Sequence, residues 1–316
     1  MNLHTRVCDI LEIEYPIVLA GMGGASGPEL AAAVSNAGGL GVLGAAACGP
    51  KQLRDWIRRT RELTDKPFGV DTLLPASVRR AAEKQAAGEG SSPAELVPEL
   101  QVFARAFMER EGLHAVDPNE LRQARDPDEP AIFTKEFFDA QMEVIIDERV
   151  PVYASGLGNP GPWMQEFRAI GTKVMAVVGA VRHAIQVNSS GLDIIVAQGH
   201  DGGGHNAPIG TMALIPQVVD AVGDTPVLGA GGIVDGRGIA AAFMLGAQGV
   251  WLGSVFLASE EANIFDFQKQ AIVDATEEGT TVSKSVTGKP ARIIRSKWTD
   301  CGCASTAIRC PCRFRA

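Results

Sequence analysis

Apolar residues in this chain gather into short runs at 17–20, 40–43, 68–72, 150–154, 173–177, 193–197, 226–228 and 249–252. These runs do not alternate with polar residues, as expected of strands covered on both faces in a parallel sheet. Small residues follow each run, and helical spacing then covers 28–37, 50–63, 163–169, 181–189, 212–222 and 236–245. Eight strands separated by helices predict a (β/α)8 TIM barrel, with a doubly wound open sheet as the alternative.

One interval breaks the rhythm. Between Pro75 and Val150 lies far more chain than one barrel helix needs. It opens on a polar stretch at 88–93 and offers amphipathic helices at 94–111 and 134–148, split by an Asp/Pro-rich segment at 117–130. Because it leaves the C-terminal end of a strand, where barrels carry their active sites, 76–149 is expected to form an inserted lid or substrate-shaping subdomain. A surface excursion is the alternative. The barrel itself then spans 1–75 and 150–298.

Composition narrows the partners. A formal charge of −8 without a dense Lys/Arg stripe argues against nucleic acid. The first ten residues lack the apolar core of a signal peptide, and no apolar run reaches the ~18 residues of a membrane span. The expectation is a cytoplasmic chain with a small-molecule substrate, no membrane partner, and a homodimer as one option. Of six cysteines, four (Cys301, Cys303, Cys310 and Cys312) crowd the end. A disulfide framework is not expected in such a chain. The Cys/Arg/Pro-rich segment 299–316 has the composition of a GC-rich gene read out of frame, and is expected to add little to the core. A zinc clip built from its two C-x-C pairs is a second reading.

The candidate chemistry collects at the strand ends. Gly231 and Gly232 follow one run, and Gly253-Ser254 follow the next. Barrels hold phosphate on backbone amides of their last two strand-to-helix loops, aided by a helix N-terminus. The densest polar cluster, 197–206, carries Gln198, His200, Gly203, Gly204 and His205. Its glycines let an imidazole approach a flat ligand, and a histidine of near-neutral pKa can take a proton. His205 is the candidate base, while His200 reads as a capping side chain. After the first run, Gly21, Met22 and Gly23 offer backbone to a cofactor ring, with Met22 either a soft contact or filler. Asp71 could accept a hydrogen bond from a ring N–H or cap the next segment.

Together these residues resemble the nitronate monooxygenase family, formerly called 2-nitropropane dioxygenases. The resemblance runs over 5–298 apart from the insertion. It rests on Gly21-Met22-Gly23, on Gln198 to His205, on Thr211-Met212-Ala213-Leu214, and on Ala230-Gly231-Gly232-Ile233-Val234-Asp235-Gly236. It implies FMN and no metal. The phosphate would rest on Gly231, Gly232, Gly253 and Ser254, and the ring against Gly21, Met22 and Asp71 with Gln198 nearby. It implies oxidation of alkyl nitronates, and of nitroalkanes with His205 as base, by molecular oxygen. Three departures stand out: Asp71 where relatives often have asparagine, Val177 where some carry lysine, and the tail.

Other readings stay open on these motifs. An enoyl-acyl-carrier or quinone reductase using NAD(P)H shares the glycine turns. A barrel holding a phosphorylated metabolite without redox chemistry, or a catalytically weak flavoprotein, would use the same phosphate turns.

Overall fold

In the computed structural model, which describes residues 3–74, 97–113, 129–132, 134–286 and 289–304, eight parallel strands form a nearly closed ring. They are β1 (Ile17–Leu19), β2 (Gly41–Gly44), β3 (Phe68–Leu73), β4 (Val152–Leu157), β5 (Lys173–Val178), β6 (Ile194–Gln198), β8 (Val227–Ala230) and β9 (Gly249–Leu252). The order is β1-β9-β8-β6-β5-β4-β3-β2. A parallel bridge between Val18 and Leu40 brings the two ends together, with Leu19 N–H donating to Leu40 O at 2.9 Å. That contact makes this a barrel and not an open sheet.

Strand alternation divides the core in two. Val18, Val42, Val152, Ala154, Met175, Ile194, Val196, Leu228, Ala230 and Trp251 form one buried cluster inside the ring. Helix α1 (Arg6–Leu11) adds Val7, Cys8 and Leu11 to it. Thr5 Oγ1 donates to Gln248 O at 2.6 Å, just ahead of β9, so this helix closes the N-terminal end. The intervening strand residues, such as Val70, Tyr153, Ala176 and Ile195, face the outer helices. Those helices are α2 (Pro28–Asn36), α3 (Pro50–Leu63), α5 (Lys135–Asp147), α6 (Met164–Ile170), α7 (Val181–Asn188), α8 (Thr211–Val222) and α9 (Gly236–Met244), with α4 (Val97–Arg110) ahead of α5.

The long interval divides. Segments 75–96 and 114–128 lie outside the described residues, so most of the expected lid does too. Its last helix does not behave as an insertion. Thr134 Oγ1 caps α5 by accepting from Phe137 N–H at 3.2 Å. Phe137, Met142 and Ile145 are buried completely, and Gln141 Nε2 donates to Ala45 O and Cys48 O, each at 2.7 Å. Just past α5, Glu148 receives Arg54, Arg58 and Arg61 of α3 at 2.8, 3.0 and 2.8 Å. Thus α5 is the barrel helix joining β3 to β4.

The tail also begins inside the fold. Helix α11 (Lys297–Ala304) runs through position 299. Ser296 and Thr299 exchange backbone-to-hydroxyl bonds at 2.9 and 3.3 Å, and Thr299 is buried. Trp298 meets Phe107 of α4 edge-on at 5.1 Å, and Lys297 pairs with Glu111 at 2.9 Å. Residues 305–316, with Cys310 and Cys312, lie outside the described residues.

If α5 is a barrel helix, Phe137→Ala should cost about 3–5 kcal/mol in urea unfolding, as for other fully buried aromatics. Val102→Ala on exposed α4 should stay within about 0.5 kcal/mol. A small loss at Phe137 would return α5 to the insertion.

Candidate active site at the C-terminal mouth of the barrel

The register of β6, β8 and β9 sets three loops side by side. Gln198 lies opposite Ala230, and Ala230 opposite Trp251, so the chain leaves each strand at one level. Gly231 and Gly232 then take φ values of +107° and +71°, the left-handed region that favours glycine. A β-carbon on Gly231 would stand 2.7 Å from Thr211 Oγ1 and 3.0 Å from Gly202 N. One on Gly203 would stand 2.6 Å from Ser254 Oγ. The β6 loop therefore lies across both glycine turns, and Gly203, Gly231, Gly232, Gly253 and Ser254 share one corner of the mouth.

The helix end expected to help there is already taken. Asp235 caps α9 by accepting from Arg237 N–H at 2.9 Å and Gly238 N–H at 3.3 Å. Its pKa falls to about 2, chiefly because Arg237 also bonds its carboxylate. What remains are turn amides: among the described residues, no backbone acceptor takes up Gly232, Gly253 or Ser254 N–H.

The cluster at 197–206 is folded by its polar side chains. Asp201 Oδ2 accepts from Thr211 N–H at 2.8 Å, tying the loop to the start of α8. That bond holds its carboxyl below the usual range despite some burial. His200 Nδ1 lies 3.1 Å from Ala207 O, and its own carbonyl accepts from Asn206 Nδ2 at 3.0 Å, in keeping with a structural role. The loop then forms β7 (Gly204–His205), which sequence spacing did not suggest. It joins an antiparallel sheet with β10 (Thr280–Ser283) and β11 (Ala291–Ile294). His205 pairs with Ala291 and Gly204 with Arg292, while Gln198 Nε2 donates to His205 O at 2.8 Å. His205 is fixed by a ladder from the far end of the chain. His205 is exposed at the mouth, yet partial desolvation against its wall, and secondarily the Lys289 ammonium, lower its pKa below the ordinary histidine value.

Across the mouth, the β1 loop meets β3. Met22 N–H donates to Ser26 Oγ at 2.8 Å, and a β-carbon on Gly253 would stand 3.3 Å from Met22 Sδ. Gly23 is exposed beside them. Asp71 lies within β3, two residues before its end. The segment it could cap, from position 75 on, lies outside the described residues. The Asp71 carboxyl rests against Gly21, where any β-carbon would collide with it. Burial pushes Asp71 well above the usual carboxylate range, against a smaller opposing pull from Gly156 N–H. Its Oδ1 is buried without a hydrogen-bond partner among the described residues.

Sequence reasoning missed Gly156, Lys289 and Arg292. Each meets the site through pairings distant in sequence, and none stands in a motif. Elsewhere, a cleft of about 420 Å³ is lined by Glu29, Trp56, Arg59 and Glu260. Its Arg59 is already shared between Glu29 and Glu62, so the chemistry is better placed at the mouth.

Comparisons with known proteins give the family and the fold. The sequence profile of the nitronate monooxygenase family matches residues 4–304. A probable nitronate monooxygenase of Staphylococcus saprophyticus is 34% identical over 312 residues, covering 94% of this chain and 80% of that protein. Among solved structures, nitroalkane oxidase from Streptomyces ansochromogenes is 30% identical with a TM-score of 0.73, over 92% of this chain and 79% of that one. FabK from Thermotoga maritima is 36% identical with a TM-score of 0.71, over 94% and 76%. Two observations in this structure fit a flavin: the partnerless Asp71 oxygen beside bare Gly21, and the turn amides of Gly232, Gly253 and Ser254.

Gly232→Val should fold and yet purify with under about a tenth of the wild-type flavin, since φ +71° strains any side chain. Visible absorbance per protein, beside far-ultraviolet circular dichroism, measures this. Full flavin occupancy would move the phosphate elsewhere.

Proposed function

The chain belongs to the nitronate monooxygenase family and is a flavin-dependent oxidoreductase, and from that premise we propose that it binds FMN and oxidises alkyl nitronates with molecular oxygen. The observation that carries this reading is the convergence, at one mouth, of a glycine cradle for phosphate, a floor of bare backbone and a histidine positioned by β11 and Gln198. When bound, the flavin supplies the electron transfer between substrate carbon and oxygen; the protein supplies binding, orientation and electrostatics.

In this reading Gly231, Gly232, Gly253 and Ser254 hold the phosphate through amides that need no side chain. Gly21, Met22, Gly23, Gly203, Gly204 and Gln198 surround the ring. Lys289 lies near His205 and Arg292 donates to His200 O at 3.2 Å, so the wall beside the base is cationic. Such a wall suits a nitronate, which is already an anion. For a neutral nitroalkane, His205 removes the α-proton. Its lowered pKa keeps the imidazole deprotonated further into acid than an ordinary histidine, so it stays competent as a base there. A reductase reading is favoured by the likeness to FabK; anaerobic mixing of the flavoprotein with NADH, NADPH or a nitronate separates the two by which of them bleaches the flavin.

His205→Asn should lower kcat/KM on nitroalkanes by about 10²–10⁴-fold, the usual contribution of a positioned base. Nitronate turnover should stay within a few-fold and flavin should stay bound. Equal losses on both substrate forms would make His205 a binding residue.

The acid limb of the nitroalkane profile should lie below the ordinary histidine range. Lys289→Met should move that limb to higher pH by removing a facing positive charge. An unmoved limb would take Lys289 out of the field of the base.

A further inference from the structure

Among the described residues, Asp71 is the one carboxyl placed inside the ring at the level of the mouth. It stands opposite Gly44 on one side and Ala154 on the other, and only 7% of it is exposed. Gly21 of the β1 loop and Gly156 of β4 press on it from two sides. A β-carbon on Gly156 would stand 2.7 Å from Oδ1 and 3.0 Å from Oδ2. The carboxyl is thus closely packed between these two glycines.

Its neighbours offer no cation. Of β4, Ala154 and Gly156 lie against it, while on the other face the Tyr153 phenol is bonded to Thr72 Oγ1 at 2.9 Å and the Ser155 hydroxyl to Gly158 O at 3.1 Å. The β1 loop contributes Gly21 and β2 contributes Gly44, and the inward positions at the ends of β5 and β6 are Val177 and Gln198, neither of them a cation. Among the described residues no lysine, arginine or histidine acts on Asp71; the groups that do are Gly156 N–H and, as a coulombic partner, Tyr153. A carboxylate here would be a buried charge with one oxygen bare, a costly arrangement. Protonation removes that cost and changes what the group can bind. A neutral carboxyl has one O–H donor and one C=O acceptor. A flavin imide edge presents an N–H beside a carbonyl, which matches that pair. An ionised carboxylate could accept from the N–H, but would face the adjacent carbonyl oxygen with a second acceptor.

We propose that Asp71 binds the flavin as a neutral carboxylic acid, donating to a ring carbonyl while accepting from the ring N–H, and so makes flavin affinity fall as pH rises. This rests on the flavin reading above and deepens it. Burial of the carboxyl favours the same state. The sign follows from linkage: the flavin prefers the protonated form, so binding is undiminished below the pKa of Asp71 in the free protein and weakens above it.

The test is FMN titration of the stripped full-length protein by flavin fluorescence, from about pH 5 to about pH 9. Wild type should lose about tenfold in affinity per pH unit above that pKa, the slope of one linked proton. Asp71→Asn keeps the donor and acceptor without the proton. It should match the low-pH affinity of wild type and lack that limb, while sharing the smaller dependence that the FMN phosphate and His205 give both proteins. Infrared difference spectra of wild-type holoprotein should show a protonated carboxyl stretch that shifts in deuterium oxide, which guards against a variant that fails to fold. Parallel pH dependences in wild type and Asp71→Asn, or no such carboxyl stretch, would overturn the inference. Wild type that binds no FMN at any pH would overturn the flavin reading along with it.

Discussion

The constraint on which the rest depends is the two-residue period of a strand in a ring that closes. Once Val18, Val42, Val152, Met175, Val196, Leu228 and Trp251 are committed to the interior, every second residue must follow them inward. Continued toward the C-terminal ends, that parity reaches Ala20, Gly44, Asp71, Ala154, Val177, Gln198, Ala230 and Gly253. All but Asp71 and Gln198 are small or apolar. The floor of the mouth is therefore mostly bare, and its polar groups are few and aimed. A slip of one residue in β3 would bury Val70 in the ring and send Asp71 into the helix layer. The apolar packing of the outer layer thus fixes the position of a chemical group it never touches.

A second level of control lies above the ring. The β6 loop must reach across two neighbouring turns and still present His205, and its run of glycines has little preference of its own. Order comes from outside: Asp201 pins the loop to α8, Gln198 holds the carbonyl of His205, and β11 pairs with Gly204 and His205. Trp298 Nε1 donates to Ser285 O at 3.2 Å and its ring meets Phe107. Helix α4, the C-terminal helix and the hairpin that carries β11 are thereby coupled to the wall beside the candidate base.

Much of this was legible in the sequence, and the boundary of legibility has physical causes. The eight barrel strands announced themselves because burial on both faces demands unbroken apolar runs. The glycine turns announced themselves because few residues tolerate φ above zero. By contrast, β7 has two residues, both exposed, and is defined by a partner some 86 positions away, counted from His205 to Ala291. No local pattern encodes it. Helix α5 was drawn into the insertion because contiguity suggested it; its apolar face, led by Phe137 and Met142, suits a barrel helix equally well. Only packing against α3 and β3 decides. The partnerless oxygen of Asp71 was equally hidden, because a carboxylate letter does not say what surrounds it.

The electrostatics of the mouth give the chain its chemical character. Desolvation moves its two central titratable groups in opposite directions, Asp71 upward and His205 downward, and both shifts favour the neutral form. A nearby anion, Asp201, is engaged by Thr211 at the start of α8. The hairpin adds two cations, Lys289 near His205 and Arg292 on His200 O. In a site walled by low-dielectric side chains their field acts further than it would in water. A protein with a formal charge of −8 thus carries two cations on the wall beside its candidate base. That polarity suits both anions the reading calls for, a cofactor phosphate held by backbone amides and a substrate whose carbon has already lost its proton.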